Sequence, residues 1–355
     1  MSEYELINSS LSNFDIEDFM YENPVLGGLS ARSKKGRKSM SQKRFVDILK
    51  SDLNFPSEYA ELFDGVENGE QLARILKNKD SLVERKISQC PIKLEGVLSN
   101  ADLVDKGLIE NTDNGEIVVV KNFVIKDTLV SPDITIRGPV ALEKNVVIGR
   151  STLFGPLYIA EKSKIHDSRL RGQPQGAVYV GRNCDLWDYT VIIRSLIGNN
   201  SLIHTCNIDD SIVGPNSHLG ATKTVVKFES EEKQTECGDA SKLDKRIVLA
   251  NFSFGNKIKI YDPAKDSVVE TEADHLGIIA GTGVWLSSGT ITYPGAIIGS
   301  GAKISCSLPL VGYFQPGVEY SLFLSVKQDK NGERKIQPKG TLVKQIREYF
   351  LKKNK

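Results

Sequence analysis

Residues 134–171 read ITIRGPVALEKNVVIGRSTLFGPLYIAEKSKIHDSRLR, and this stretch decides the fold. Single residues recur in it every six positions, in the series Ile136, Leu142, Ile148, Phe154, Ala160 and His166. A second series follows four positions after each of these, namely Val140, Val146, Thr152, Tyr158, Lys164 and Leu170. This period fits neither a helix nor an alternating strand. It is typical of a parallel β-helix, in which each hexad forms one flat side of a triangular coil.

The same frame continues far beyond this stretch. It resumes at Val180, Leu186 and Ile192, slips once, and returns at Ile197, Ile203, Val213, Leu219, Ile278, Val284, Thr290, Ile297 and Ile304. Several of the leading aliphatic residues are followed by glycine, which relieves a tight turn. We therefore predict an all-β solenoid of hexapeptide repeats, with a continuous core between stacked coils.

The repeats divide the chain into three predicted regions. Residues 1–115 form a small, mainly helical and irregular region. Residues 116–312 form the β-helix, interrupted by charged insertions at 224–250 and 256–275. Residues 313–355 form a hairpin and an amphipathic helix that caps the solenoid. Insertions at the corners of a solenoid often build its binding face.

Composition limits the classes of function. The 355 residues carry 46 Lys+Arg and 45 Asp+Glu, for a net charge of +1, which disfavours wrapping of nucleic acid. A basic run at 32–44 fits a solvated linker better than a polyanion site. The sequence contains no apolar run of membrane-spanning length, and its acidic start is unlike a secretory signal. Scattered cysteines without CxxC pairs indicate reduced thiols, so we expect a cytoplasmic protein without membrane or nucleic-acid partners.

Four segments carry a resemblance to a known family: HTCNIDDSIVG from His204, NSHLGAT from Asn216, ANFSFGNK from Ala250, and LGII from Leu276 with TYPG from Thr292. They resemble the left-handed β-helix acyltransferases. The similarity is greatest to the acetyltransferase half of the bifunctional glucosamine-1-phosphate acetyltransferase / N-acetylglucosamine-1-phosphate uridyltransferase family, in its archaeal-like branch. It covers the solenoid only, and no counterpart of the uridyltransferase half is found.

The resemblance implies roles for particular residues. His204 falls on the catalytic histidine, a general base suited to accept a proton from an attacking amine near neutral pH. Asn251, Lys257, Arg194 and Arg171 fall on or near positions that contact the substrate.

It also implies acetyl-CoA as co-substrate, with Ala221, Ser288 and Phe252 at the coenzyme site. A requirement for Mg²⁺ stays open. This sequence departs from the family where Asn207 and Phe252 replace tyrosines and where Thr222 replaces a glycine.

Two classes of function follow. The first, which we favour, is a CoA-dependent N-acetyltransferase acting on an amino-sugar phosphate or a sugar nucleotide, as a homotrimer with the site between subunits. The second is a catalytically inactive scaffold or regulatory subunit related to sugar nucleotidyltransferases, because fold alone does not give function. No metal site is predicted from the four dispersed histidines. Asp209 and Asp210 are adjacent and are expected to point to opposite faces of a strand.

Overall fold

The chain is described by a computed structural model, which covers residues 44–172, 176–221, 225–228, 231–234, 247–249, 257–265, 267–305, 309–310, 312–317, 319–321, 323–328 and 334–339. Three sheets, each of 10 strands, form the sides of a solenoid of about 8 turns. Most neighbouring strands run parallel, and the predicted left-handed parallel β-helix is confirmed.

The strands are short. Each parallel coil contributes one strand to each sheet, and the strands that precede these coils add two more to each sheet. Sheet A contains β1 Ile92–Leu94, β5 Phe123–Ile125, β8 Val140–Leu142, β11 Leu157–Ile159, β14 Val178–Val180, β17 Leu196–Ile197, β20 Ile212–Val213, β27 Ile279–Ala280, β30 Ile297–Ile298 and β33 Tyr313–Phe314. Sheet B contains β2 Val97–Leu98, β6 Thr128–Val130, β7 Thr135–Arg137, β10 Thr152–Phe154, β13 Arg169–Arg171, β16 Val191–Ile193, β19 Cys206–Asp209, β24 Ile247–Leu249, β29 Ile291–Thr292 and β32 Pro309–Leu310. Sheet C contains β3 Ile109–Asn111, β4 Ile117–Val119, β9 Val147–Gly149, β12 Lys164–His166, β15 Asp185–Trp187, β18 Leu202–His204, β21 His218–Ala221, β28 Trp285–Ser287, β31 Lys303–Ser305 and β34 Glu319–Ser321.

The chain reverses its direction near the start of the solenoid. Strands β4, β5 and β6 pair antiparallel with β9, β8 and β7, whereas the later neighbours in all three sheets pair parallel. The reversal between β6 and β7 is a tight turn in which the Ser131 amide donates to the Ile134 carbonyl at 2.9 Å. The sheets thus begin at Ile92, upstream of the boundary predicted at residue 116. The predicted boundary is too late because these first strands do not follow the six-residue frame.

The inward positions differ from the sequence frame over one stretch and again at Ile297, which packs on the outer face of sheet A while Ile298 points into the core. Ile136, Leu142 and Ile148 point into the core as the series predicts, and each is fully buried. The next inward residues are Leu153, Ile159, Ile165 and Leu170 rather than Phe154, Ala160 and His166. The frame moves by one residue because the corner at Arg150, with a φ of 28°, is one residue shorter than a hexad requires. His166 therefore lies outside the core and pairs with Glu116.

Left-handed residues turn the corners between the sheets. At the corner from sheet A to sheet C, Asn183, Asn200 and Asn216 have φ values of 53°, 58° and 58°. Their side chains form a ladder, with Asn183 Nδ2 donating to Asn200 Oδ1 and Asn200 Nδ2 to Asn216 Oδ1, both at 3.1 Å. Asparagine suits this position because it tolerates the left-handed region better than other side chains.

Helices cover the outer face of sheet A. The covering helices are α1 Phe45–Leu53 and α2 Arg74–Gln89, with 3-10 segments at Ser57–Phe63 and Gly69–Gln71. A short helix, α3 Asn100–Asp105, instead packs Leu103 into the core at the start of the solenoid. The buried residues of α1 and α2 pack on outward side chains of sheet A such as Tyr158, Tyr179 and Tyr313. Sheets B and C have no such cover from any helix in the described part of the chain.

Three antiparallel hairpins lie outside the solenoid. They are β22 Val225–Phe228 with β23 Glu231–Gln234, β25 Lys259–Asp262 with β26 Ser267–Glu270, and β35 Phe323–Gln328 with β36 Arg334–Lys339. The first two lie in the predicted insertions, and the third lies where the sequence predicts a hairpin. The predicted C-terminal helix and the basic run at 32–43 lie outside the described residues. Within the described ranges, no helix is both long enough and apolar enough to cross a membrane.

Candidate active site

His204 lies at the corner where the chain passes from sheet C to sheet B. Ile203 points into the core and is fully buried, so the next side chain points outward. Thr205 turns the corner with a φ of 48° and carries the chain to Cys206 in sheet B. The hexad pattern itself therefore fixes the outward direction of the imidazole.

Two residues of the preceding coil contact the imidazole of His204. Trp187 is its partner in strand register, and the two ring centroids are 4.9 Å apart with an interplanar angle of 37°. Asp188 Oδ2 lies 3.6 Å from His204 Nδ1. This arrangement directs the other ring nitrogen, Nε2, away from the carboxylate. The ring is therefore held on one side by an indole and at one nitrogen by an acid.

The surroundings of His204 favour a neutral ring. Burial lowers the pKa of His204 below its usual 6.5, and the nearby charge of Asp188 only partly opposes this. His218, whose ring centroid is 5.9 Å from that of His204, has its pKa lowered first by burial and then by His204. Near pH 7 both rings are therefore uncharged and able to accept a proton.

The backbone of the next coil lies directly against His204. A Cβ at Gly220 would lie 2.1 Å from the His204 carbonyl oxygen, and the φ of Gly220 is +96°. Ser288, a predicted coenzyme-site residue, donates from Oγ to the Gly220 carbonyl at 2.7 Å. Ala221 pairs in register with Ser287 in the same sheet. The structure thus brings His204, Ala221 and Ser288 to one corner.

Arg194 lies at a different corner, between sheets B and A. Its guanidinium donates to Asp210 from Nε at 2.8 Å and from one terminal nitrogen at 2.7 Å, and to Asp209 at 3.0 Å. Both carboxylates meet one cation, so the expectation that Asp209 and Asp210 point apart is wrong. Asp210 turns the corner with a φ of 44°, which breaks the alternation of the strand.

Lys257 lies at the same corner as Arg194, at the base of the hairpin formed by β25 and β26. Its ammonium pairs with Asp274 at 2.8 Å and donates to the Glu272 carbonyl at 3.2 Å. Asp274 and Arg194 line one cavity of about 650 Å³ against helix α2. Lys257 is thus linked through Asp274 to the cavity that Arg194 lines, at a corner other than that of His204.

A buried lysine closes the inner end of this cavity. Lys79 of α2 donates to the carbonyls of Ala177, at 2.7 Å, and Arg194, at 2.5 Å, and pairs with Asp80 at 2.9 Å. Burial lowers the pKa of this ammonium, and the carboxylates of Asp80 and Asp210 partly oppose that shift. Burial, together with Asp210, raises the pKa of Asp209 to about 6, although Arg194 opposes the shift.

The remaining predicted site residues have separate positions. Arg171 is exposed on the outer face of sheet B, two strands before Asp209 in the sheet order. Asn251 and Phe252 lie outside the described residues. Among those that are described, no group of three or more His, Cys, Asp or Glu side chains could hold a metal ion.

Sequence reasoning missed the neighbours of His204. It assigned no role to Trp187, Asp188, His218 or Gly220. The missing signal is the length of a coil: residues separated by one full turn of the solenoid lie side by side, as the register of Trp187 with His204 shows. Counting one coil back and one coil forward from His204 would have found all four.

Two curated relatives match part of the chain. One is the bifunctional protein GlmU of Clostridium acetobutylicum, 29% identical over 127 residues, which are 35% of this chain and 24% of the relative. The other is the bifunctional protein GlmU of a Picosynechococcus species, 28% identical over 147 residues, or 39% of this chain and 31% of the relative. The chain resembles the acetyltransferase half of GlmU. It spans less than a third of the length of either relative.

Other comparisons add little to this resemblance to GlmU. No family model matches the chain. A crystal structure of a mutant of AntD, an N-acyltransferase from Bacillus cereus, in complex with dTDP-4-amino-4,6-dideoxyglucose and coenzyme A, is 7% identical with a TM-score of 0.16. That alignment covers 63% of this chain and 90% of AntD.

Proposed function

We propose that this chain is a CoA-dependent acyltransferase that acylates an amine of a phosphorylated sugar or a sugar nucleotide, with His204 as the general base. The observation that carries the proposal is the environment of His204. The ring is neutral near pH 7 and packed against Trp187, and its Nδ1 faces Asp188. It lies on a sheet face that no described helix covers. The similarity to GlmU supports the same class of reaction.

Acyl transfer requires only that the protein position the amine and the thioester and supply one general base. The amine nitrogen attacks the carbonyl carbon of the thioester, and a C–N bond forms. Nε2 of His204 accepts the proton that the amine loses, and Asp188 favours the resulting imidazolium through its negative charge. The C–S bond then breaks, and the thiolate leaves with a proton. Each acyl transfer therefore releases one free thiol.

The substrate contacts of this proposal are only partly assembled within one chain. Ser288 and Ala221 adjoin His204, and we propose that the coenzyme lies along this corner. Arg194 and Lys257 lie at another corner, and both are engaged by carboxylates. We propose a homotrimer in which a neighbouring copy completes the site. Since the chain's own helices cover sheet A and His204 lies on sheet C, sheet C is the face for that contact.

Free thiol released from acetyl-CoA, with glucosamine-1-phosphate as the first acceptor, tests the reaction. Other amino sugars, free or nucleotide-linked, follow as acceptors. His204→Ala is expected to lower the rate by at least about a hundredfold, the usual range for loss of a general base. His166→Ala is the matched control, because His166 lies on the same sheet two coils away and pairs with Glu116. A wild-type rate in His204→Ala would contradict the role of this base.

The second candidate is a catalytically inactive scaffold. The ion pairs of Arg194 with Asp209 and Asp210 favour it, because they occupy a group that a substrate phosphate would need. A folded, trimeric protein that releases no thiol with any amino-sugar acceptor, and whose His204→Ala variant behaves identically, would support this candidate instead.

A further inference from the structure

An arginine-rich patch lies on the outer face of sheet B. Strands β7, β10 and β13 are neighbours in parallel register, and their outward side chains form a grid of two columns. One column is Thr135, Thr152 and Arg169, and the other is Arg137, Phe154 and Arg171. We name Arg137, Phe154, Arg169 and Arg171 the arginine platform. Successive strands are about 4.8 Å apart, so its three guanidinium groups lie within reach of one small ligand.

The platform is exposed and already organised. All three of its arginines are exposed, and Phe154 is half-buried. The guanidinium carbon of Arg137 lies 5.6 Å from the centroid of the Phe154 ring. A cation over an aromatic face is weakly favourable at an exposed site, and it holds the planar guanidinium parallel to the surface. The platform therefore presents a flat, stacked surface flanked by positive charge.

The arginines of the platform differ from the rest in having no acidic partner among the described residues. Every other arginine with a described side chain forms an ion pair: Arg44 with Asp47, Arg74 with Glu272, Arg85 with Glu61, Arg150 with Asp167, Arg182 with Glu58, and Arg194 with Asp209 and Asp210. The chain as a whole is almost neutral, at +1. The platform thus holds the three described arginines that form no ion pair with a described carboxylate.

The flanking strands do not neutralise the platform. The outward residues of the preceding strand β6 are Thr128 and Val130, and those of the following strand β16 are Val191 and Ile193. None of these four is acidic. Like charges brought together on a sheet without counter-charges destabilise the fold slightly, and an anion that binds them removes that cost.

We propose that the arginine platform binds the phosphates and the base of a nucleoside diphosphate. Guanidinium groups bind phosphate oxygens through paired N–H donors, and they also stack on flat rings. Phosphates alone need only the arginines, whereas the Arg137 guanidinium held over the Phe154 ring adds a flat surface on which a base stacks. The hydroxyls of Thr135 and Thr152 lie in the neighbouring column, where they can donate to the same phosphates.

This site is separate from the corner at His204. The platform lies on sheet B in coils that precede the one containing His204, and acyl transfer is not needed for it to bind. The assignment of its ligand to a sugar nucleotide or to the coenzyme rests on the proposed function, because the family resemblance places Arg171 near the substrate. The nucleotide has two chemically similar sources. It can be a free or sugar-linked nucleoside diphosphate, or the 3′,5′-ADP portion of coenzyme A. Titrations with UDP, ADP and 3′,5′-ADP distinguish them by their relative affinities.

The test is calorimetric titration of the full-length chain with ADP, UDP, 3′,5′-ADP and inorganic pyrophosphate at low salt. We expect one nucleotide to bind more tightly than pyrophosphate. Arg137→Gln, Arg169→Gln and Arg171→Gln are each expected to weaken nucleotide binding about fivefold, a modest effect because the groups are exposed. Phe154→Leu is expected to weaken nucleotide but not pyrophosphate binding. Arg150→Gln is the matched control, since it removes the same charge from an exposed arginine that pairs with Asp167.

Three results would overturn the proposal. The first is no binding of any nucleotide at millimolar concentration. The second is an equal loss of affinity in Arg150→Gln and in the platform variants, which would mean that only net charge matters. The third is equal affinity for pyrophosphate and for the nucleotides with no effect of Phe154→Leu, which would remove the base from the site. Circular dichroism of each variant checks that it is folded, which these exposed positions lead us to expect.

Discussion

The imidazole of His204 stacks on the indole of Trp187, with the ring centroids 4.9 Å apart on adjacent strands of sheet C. The indole is 40% exposed, so it shields one face of the imidazole while its own outer face meets solvent. Together with the Asp188 carboxylate it defines the proton affinity of the histidine. The balance between these two neighbours can be measured directly.

Replacing Trp187 and replacing Asp188 are expected to shift the pKa of His204 in opposite directions. Trp187→Ala admits water and raises this pKa towards 6.5, because burial is the main cause of its lowering. Asp188→Asn removes the negative charge that favours the imidazolium and lowers the pKa further. NMR titration of the His204 ring measures both shifts. Tyr189→Asn is the control, an exposed neighbour expected to change nothing, and shifts of the same sign in both variants would contradict this account.

Gly220→Ala is expected to destabilise the protein more than Gly96→Ala. Both glycines have left-handed backbones, with φ values of +96° and +89°, so each variant loses about 1–2 kcal/mol from that strain. Only at Gly220 does the new Cβ meet an atom, the His204 carbonyl oxygen, at 2.1 Å, whereas at Gly96 nothing lies within 4 Å. We expect an additional loss of about 1–3 kcal/mol in the free energy of unfolding, measured with urea. Equal losses would show that the coil at His204 relaxes freely.

Lys79→Met tests how the helices are held on the solenoid. The substitution keeps the apolar stem but leaves the carbonyls of Ala177 and Arg194 without their donor. We expect a loss of about 3 kcal/mol or more in the free energy of unfolding, typical of breaking a buried charged network. Lys77→Met on the same helix is the control, because that side chain is exposed, and a change within about 0.5 kcal/mol is expected. Similar values for both would contradict the importance of the buried contact.

Asp209 is expected to give the stability a dependence on pH. Its pKa is about 6 in the folded chain and 3.8 without burial, so the folded state binds the proton more tightly. Its contribution to stability is therefore present below pH 4 and is lost as the pH rises towards 6. As the pH rises from 4.5 to 7, the free energy of unfolding of Asp209→Asn should increase by about 1–2 kcal/mol relative to that of the wild type, as measured by urea unfolding. Asp274→Asn is the control. Lys257 lowers the pKa of the Asp274 carboxyl in the wild type, so its replacement should give no such gain in the free energy of unfolding.

The sequence predicts the fold well because each six-residue repeat forms one side of a triangular coil. Buried aliphatic residues at Ile136, Leu142 and Ile148 lie where the series places them. The one-residue displacement from Phe154 to Leu153 was not predictable, because it depends on the backbone angle at Arg150. The first strands were missed for a related reason: they run opposite to the later coils and carry no six-residue frame.

The candidate site was predicted less completely than the fold. The position of His204 on an outward corner follows from the frame, and so does its contact with Gly220 once one coil is counted forward. The ion pair of Arg194 with Asp210 does not follow from the frame, because Asp210 adopts a left-handed conformation that turns its carboxylate towards the guanidinium. The role of helix α2 at that corner also needs tertiary packing, since Lys79 and Ala177 are 98 residues apart.

The most direct test of the central claim is the pH dependence of acetyl transfer by the wild type and by Trp187→Ala. If His204 is the base, the wild-type rate is already constant near pH 7 and falls only at more acidic pH, with a midpoint below 6.5. In Trp187→Ala this midpoint is predicted to move up, by the same amount as the pKa of the His204 ring measured by NMR. A midpoint that stays fixed while the pKa of His204 moves would show that another group accepts the proton.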